Sequence, residues 1–236
     1  MQNLQDNLIQ AHQLQQNLSS VEHRIQQAVE AFHQPSPLLL AVSKTRTSQQ
    51  IRELANLGVQ HFGENYLQEA LAKQADLTDL PITWHFIGPI QANKTRAIAE
   101  NFDWAHSIDR LKIAERLNNQ THRSKRMNIC LQINLDNEDT KSGIIPTDAI
   151  ELARHVATMP NLILRGLMAI PAPRTNIAEQ REGFHQLSML MSKLKTAIPQ
   201  CPWDTLSMGM SKDLEAAIAE GSTIVRVGTD LFGPRQ

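Results

Sequence analysis

From residue 38 onward, short apolar runs alternate with amphipathic segments, and this alternation limits the possible folds more than any other feature of the chain. The runs lie at Leu38–Val42, 58–62, 83–87, Trp104–Ile108, 127–135, 162–170, 205–208 and 223–227. Between them, segments such as 47–57, 111–118, 148–158, Ile177–Ala197 and 212–220 space their apolar residues three and four apart, as one face of a helix requires. Strands separated by helices pair in parallel through right-handed crossovers. Eight such units in about 200 residues suit a single closed (β/α)8 (TIM) barrel better than an open doubly wound sheet. Periodicity does not report closure, so the open sheet stays an alternative at this point.

The segment before the first run has its own pattern. Over 3–32, Leu4, Leu8, Ala11, Leu14, Leu18, Val21, Ile25 and Ala28 recur at helical steps, and Pro35 and Pro37 end the segment. An extra N-terminal helix (1–34) packed on one domain spanning 1–236 is expected, since no Pro/Gly/Ser-rich linker divides the chain. With 23 basic and 24 acidic side chains, neither a nucleic acid nor a membrane surface is an expected partner. No apolar run approaches the roughly 20 residues that span a bilayer, and the Gln-rich start is unlike a signal peptide. Two cysteines argue against a disulfide framework, Cys130 reads as a buried thiol, and the expected compartment is the cytoplasm. The apolar face of the first helix is accounted for by packing on the barrel, so a monomer is expected.

Barrel active sites lie at the C-terminal ends of the strands, which makes the residues there informative. The first run leads into Ser43-Lys44-Thr45, the second into Gly63-Glu64-Asn65 and the third into Ile87-Gly88. The seventh leads into Ser207-Met208-Gly209-Met210-Ser211 and the eighth into Arg226-Val227-Gly228-Thr229. Lys44 follows an apolar strand, so its amine is expected at the barrel mouth, where partial burial would favour imine formation. Alone it reads more plainly as a solvated lysine. Ser211, close to a helix opened by Lys212-Asp213-Leu214, and Gly228-Thr229 on the adjacent strand resemble the phosphate site that such barrels build after strands seven and eight. Those loops change the balance for Lys44. No P-loop, paired-cysteine zinc pattern, His-Glu-x-x-His or Gly-x-Ser-x-Gly occurs, and no metal is expected. Asp136, Glu138 and Asp139 read as a solvated acidic loop.

Ala41-Val42-Ser43-Lys44-Thr45, Phe62-Gly63-Glu64-Asn65-Tyr66, Trp84-His85-Phe86-Ile87-Gly88, Lys141-Ser142-Gly143, Leu206-Ser207-Met208-Gly209-Met210-Ser211 and Arg226-Val227-Gly228-Thr229 resemble the pyridoxal 5′-phosphate (PLP) homeostasis protein family of the YggS/PROSC type. The similarity runs in order from residue 38 to residue 233. It implies one barrel resembling the N-terminal domain of alanine racemase, with PLP bound and no established enzymatic turnover. It implies a Schiff base on Lys44, Asn65 beside the ring or its 3-hydroxyl, and Arg226 facing the pyridine nitrogen. Ser211, Gly228 and Thr229 would hold the phosphate, and Ser207 and Met210 belong to the same motif. Lys141 matches a second family lysine connected with handing PLP over to apo enzymes.

A PLP-dependent amino-acid racemase or other fold-type III enzyme is the alternative. PLP works best as an electron sink when its ring nitrogen is protonated, and an arginine there disfavours protonation. The racemase it resembles takes a tyrosine acid/base from a second domain, whereas the one tyrosine of this chain is Tyr66. A PLP carrier with no catalytic residue is therefore the expectation.

Overall fold

The strand β1 (Leu38–Val42) pairs in parallel with both β2 (His61–Glu64) and β8 (Ile224–Val227), which closes the sheet on itself. Between them run β3 (Thr83–Phe86), β4 (Trp104–Ile108), β5 (Met127–Ile133), β6 (Leu162–Ala169) and β7 (Thr205–Met210) in sequence order. The open sheet is thereby excluded. These features come from a computed structural model that describes residues 2–122, 125–136 and 142–234, with side chains from residue 9 onward.

Helices α1 (Gln2–Phe32), α2 (Ser48–Asn56), α3 (Leu67–Asp76), α4 (Thr95–Asn101) and α5 (Leu111–Gln120) come first. They are followed by α6 (Ala149–Ala157), α7 (Ile177–Ala197), α8 (Leu214–Ala219) and α9 (Thr229–Phe232). Local chemistry sets several ends. Thr47 Oγ1 accepts from Gln50 N at 3.2 Å while Gln50 Oε1 accepts from Thr47 N at 3.1 Å, a reciprocal cap that starts α2. At its other end Gly58 takes φ +100° and donates to Ala55 O, and Val59 donates to Leu54 O. That left-handed closure corrects the second apolar run, which the sequence pattern starts at residue 58. Val59 is apolar because it seals the helix end, and β2 begins three residues later than expected.

One hydrophobic cluster fills the space between the barrel wall and the helices, with Ala41, Phe62, Ala105, Ile129, Leu131, Leu167 and Val225 contributed by the strands. Leu40, Cys130, Met168 and Ile224 are buried outside that cluster and alternate with its members. They therefore point to the barrel interior. Burial pushes the Cys130 thiol well above its usual range, as expected of an inert core cysteine.

Leu14, Leu18, Val21, Ile25 and Ala28 of α1 are all buried, and the helix packs on α2, α8 and α9. Each large side chain among them contributes about 1.5–3 kcal/mol. Arg24 adds a polar clamp. Its guanidinium donates to Glu215 at 2.8 and 3.1 Å, to Asp230 at 2.6 Å and to the Ser211 carbonyl at 2.8 Å.

Candidate functional site

The barrel order β7–β8–β1–β2 sets the expected site residues side by side, because these four strands are consecutive neighbours. Lys44 lies half-buried in the turn that follows β1. The register pairs Ala41 with Val227 on β8, and Ser43 donates its backbone N–H to Gly63 O on β2 at 3.0 Å. Gly228 sits against the same strand end. A Cβ there would lie 3.3 Å from Val42 O, so only glycine keeps that backbone approach open without displacement. Gly88 is tighter still, since its Cβ would fall 2.4 Å from Asn65 O.

A buried ionic group beneath the mouth fixes the turn that carries Lys44. Glu64 Oε1 accepts from Ser43 Oγ at 2.6 Å and from Lys73 Nζ at 2.8 Å, and Lys73 also donates to the Ser43 carbonyl at 2.6 Å. Glu69 accepts from both Thr45 N and Lys73 at 2.5 Å. Both neighbours of Lys44 are thus held by charge-assisted bonds, which are stronger than neutral ones. Burial raises the Glu64 carboxyl above its ordinary range, and Lys73 opposes that shift. Lys73 is reached through α3, so its partners escaped sequence reading.

Asn65 and Ile87 line a cavity of about 250 Å³ at the mouth, together with Pro89, Gln132, Asn134, Ser142 and Ile170. Asn65 Oδ1 is buried there without a hydrogen-bond partner among the described residues. Lys44, Ser207, Met210, Ser211, Arg226 and Gly228 do not line this cavity. Exposed Thr229 borders a different cleft, between α1 and α9, with Asn17 and Arg24.

Arg226 is fully enclosed. Its Nη1 donates to the Ser207 carbonyl at 2.5 Å and to Ser207 Oγ at 2.8 Å, and its Nη2 donates to Ala169 O at 2.9 Å. Burial lowers the guanidinium to about 10, with Asp213 and Cys130 opposing. Ser207 is accordingly a support for Arg226, buried at 0% exposure. From it a line of histidines crosses the barrel: His106 Nδ1 lies 2.8 Å from Ser207 Oγ, His85 Nδ1 lies 2.9 Å from His106 Nε2, and His61 Nδ1 lies 3.0 Å from His85 Nε2. Of these His85 lies within a sequence motif and His61 directly precedes one, whereas His106 belongs to none. The signal that would have found the pair is the equal placement of His85 and His106 within β3 and β4.

Helix α8 begins at Leu214 with Asp213 as its cap residue, and Ser211 sits in the turn just ahead of it, near the helix start as the sequence pattern places it. Asp213 Oδ1 accepts from Met210 N at 2.6 Å and closes that turn. Asp136 is no solvated side chain, for it accepts from Ala172 N at 2.7 Å and from Arg174 at 3.2 Å. Lys141, Glu138 and Asp139 lie outside the described residues. Among the described residues no His/Cys/Asp/Glu group is arranged to hold a metal ion, and no helix is long and apolar enough to cross a membrane.

The model of the alanine racemase N-terminal domain matches residues 16–236. A Pseudomonas aeruginosa protein named pyridoxal phosphate homeostasis protein is 53% identical over 223 residues, covering 93% of this chain and 95% of that one. The chain belongs to the pyridoxal phosphate homeostasis protein family. PipY of Synechococcus elongatus, solved with PLP bound, superposes on this member with a TM-score of 0.83 at 39% identity, covering 93% of this chain and 100% of PipY. Alanine racemase from Corynebacterium glutamicum shares the fold alone, with a TM-score of 0.72 at 15% identity over 95% of this chain and 62% of the racemase. The family's barrel is thus the one built here, closed by β1 and β8.

Proposed function

We propose that this protein holds PLP as a Schiff base on Lys44 and serves to keep and hand over the cofactor, without turning over amino acids. One observation carries the proposal: Ser211, Gly228, Thr229, Lys44 and Asn65 occupy consecutive strand ends of a closed barrel. The donor set fits such a ligand. Lys44 supplies the amine, Asn65 offers an orphaned amide oxygen toward the 3-hydroxyl side, and Ser211, Gly228 and Thr229 offer donors to the phosphate. Arg226 would face the pyridine nitrogen, with Ser207 behind it and Met210 in the same turn. PLP supplies an electron sink to amino-acid chemistry when its ring nitrogen is protonated, and a guanidinium disfavours that state. The PLP-bound PipY structure and the name of the Pseudomonas relative support the cofactor and the homeostatic role.

The carrier role is favoured over a racemase because Tyr66 is 55% exposed at the head of α3, not enclosed beside the proposed site. We place the protein in the cytoplasm as a monomer of one domain, with apo PLP enzymes as recipients and Lys141 assisting the transfer. Purified protein is expected to be yellow and to change its absorbance with hydroxylamine. Borohydride should fix PLP to the peptide carrying Lys44, and Lys44→Ala should abolish that adduct; an undiminished adduct elsewhere sinks the assignment. Incubation with L-amino acids followed by chiral analysis separates carrier from enzyme. Turnover above that of PLP in buffer would overturn the carrier role.

A further inference from the structure

Among the described residues, one proton arrangement of the row from Arg226 to His61 gives the Ser207 hydroxyl hydrogen an acceptor. A guanidinium donates and never accepts, so Ser207 Oγ, 2.8 Å from Nη1, accepts from it. The hydroxyl hydrogen has no other acceptor among the described residues, so it is given to His106 Nδ1, 2.8 Å away; the reverse direction, Nδ1–H to Oγ, would leave it unpaired. A histidine that accepts at Nδ1 and is neutral carries its hydrogen on Nε2, which points at His85 Nδ1 at 2.9 Å. The same step repeats from His85 Nε2 to His61 Nδ1 at 3.0 Å. His85, His106 and Ser207 are each 0% exposed, whereas His61 is half-buried at the start of β2. The row thus runs from the enclosed guanidinium to the floor of the barrel.

Arg226 has no ion-pair partner among the described residues; its bonds go to two carbonyls and one hydroxyl. A carboxylate in contact would stabilise the guanidinium by cancelling its charge. Aligned neutral dipoles stabilise it while leaving the charge in place. We propose that His106 and His85 are positioning residues, locked as neutral Nε2–H tautomers, that keep Ser207 turned as an acceptor and so hold Arg226 as an uncancelled cation at the ligand site. The charged or titratable groups facing the row are Asp103 at His61, and Asp213 and Cys130 at Arg226. Trp104 stacks on His85 at 5.3 Å and carries Arg165 over its ring at 4.9 Å. Burial keeps the histidines neutral, and Arg226 adds to that effect at His106. The link to the cofactor rests on the PLP reading above; the tautomer lock does not.

Two experiments test the two parts separately. In ligand-free protein labelled with 15N-histidine, long-range N–H correlations should show bare Nδ1 and protonated Nε2 at His85 and His106, unchanged between about pH 8 and about pH 5.5. An Nδ1–H tautomer or an imidazolium at either residue overturns the lock. Ser207→Ala, which removes the donor to His106, should produce a tautomer mixture there; an unchanged spectrum also overturns it. With PLP loaded, His106→Leu should shift the absorbance titration of the bound cofactor and speed its loss roughly tenfold, as expected for one lost buried hydrogen bond, while His106→Asn should restore much of both. If His106→Leu does not fold, Ser207→Ala is read in the same assay. Titration and retention equal to wild type in the folded variant would remove any role toward the cofactor. Absence of trappable PLP in wild-type protein would instead defeat the proposed function and leave the tautomer result standing.

Discussion

The Arg24 guanidinium on α1 lies 2.6 Å from Asp230 Oδ2 on α9, and the same fork reaches Glu215 on α8 and the carbonyl of Ser211. The N-terminal helix is thereby tied to the segments that follow both β7 and β8. Arg24→Ala should lower stability by about 1–2 kcal/mol, a modest value because the pairs are about a third exposed to water. Since Ser211 and Thr229 are proposed phosphate ligands, PLP binding should weaken more than pyridoxal binding. Urea unfolding and parallel titrations with the two vitamers check this, and equal weakening would detach α1 from the phosphate loops. Arg24→Lys should not restore the effect, because an ammonium lacks the planar fork.

Removal of Lys73 leaves a carboxylate stranded in the barrel wall. Glu64 is 0% exposed and Lys73 is its cationic partner at 2.8 Å. Lys73→Met should cost about 3–5 kcal/mol by chemical denaturation. With the cation gone, the Glu64 carboxyl rises further, so the folded form retains its proton to higher pH than the unfolded chain does. The loss should therefore be smallest below the unperturbed value of 4.5 and grow as pH rises. Adding Glu64→Gln should recover much of it. A loss independent of pH would show that packing, not charge, dominates.

Gly88→Ala would drive a methyl group into the backbone of Asn65, 2.4 Å from its carbonyl oxygen. The expected loss is about 1–3 kcal/mol from overpacking. The displaced loop should also weaken PLP retention, because the Asn65 side chain lines the mouth cavity. Thermal unfolding with and without PLP separates the two effects, and an unchanged stability would contradict the geometry.

Acid should unfold the protein through the histidines of the barrel interior. His61 and His85 are held below their ordinary value of 6.5 by burial, and His106 is pushed down to about 3. As pH falls below 6.5 the unfolded chain takes up protons that the folded barrel refuses, so stability present above that pH is lost below it. Each of the three contributes a slope of up to about 1.4 kcal/mol per pH unit. Denaturation midpoints near pH 7.5 and near pH 5 measure the difference. A flat profile would mean that the row is protonated in the folded state.

Much of the barrel was legible because its signals are local. Leu38–Val42 and Trp104–Ile108 lie on strands with the bounds that periodicity predicts, and Ile177–Ala197 is a helix over its whole expected span. The second strand was misplaced because Val59 is apolar for a different reason, the closure of α2. Lys44 and Asn65 were found because strand ends are where barrels present chemistry. Lys73, Arg24, His61 and His106 were not, since each acts through partners contributed by other elements.

The sequence alone determined the alternation of strands and helices, the apolar face of α1 and the candidate residues at the strand ends, all of which depend on spacing within a few residues. Tertiary structure decided that β8 returns to β1, that Ser207 turns inward to Arg226, and that His106 meets Ser207 across 101 residues of chain. The physical reason is that burial and donor–acceptor pairing are properties of neighbours in space. Which of a histidine's nitrogens holds the hydrogen, and which carboxylate is left without water, is settled only once the barrel has closed around them.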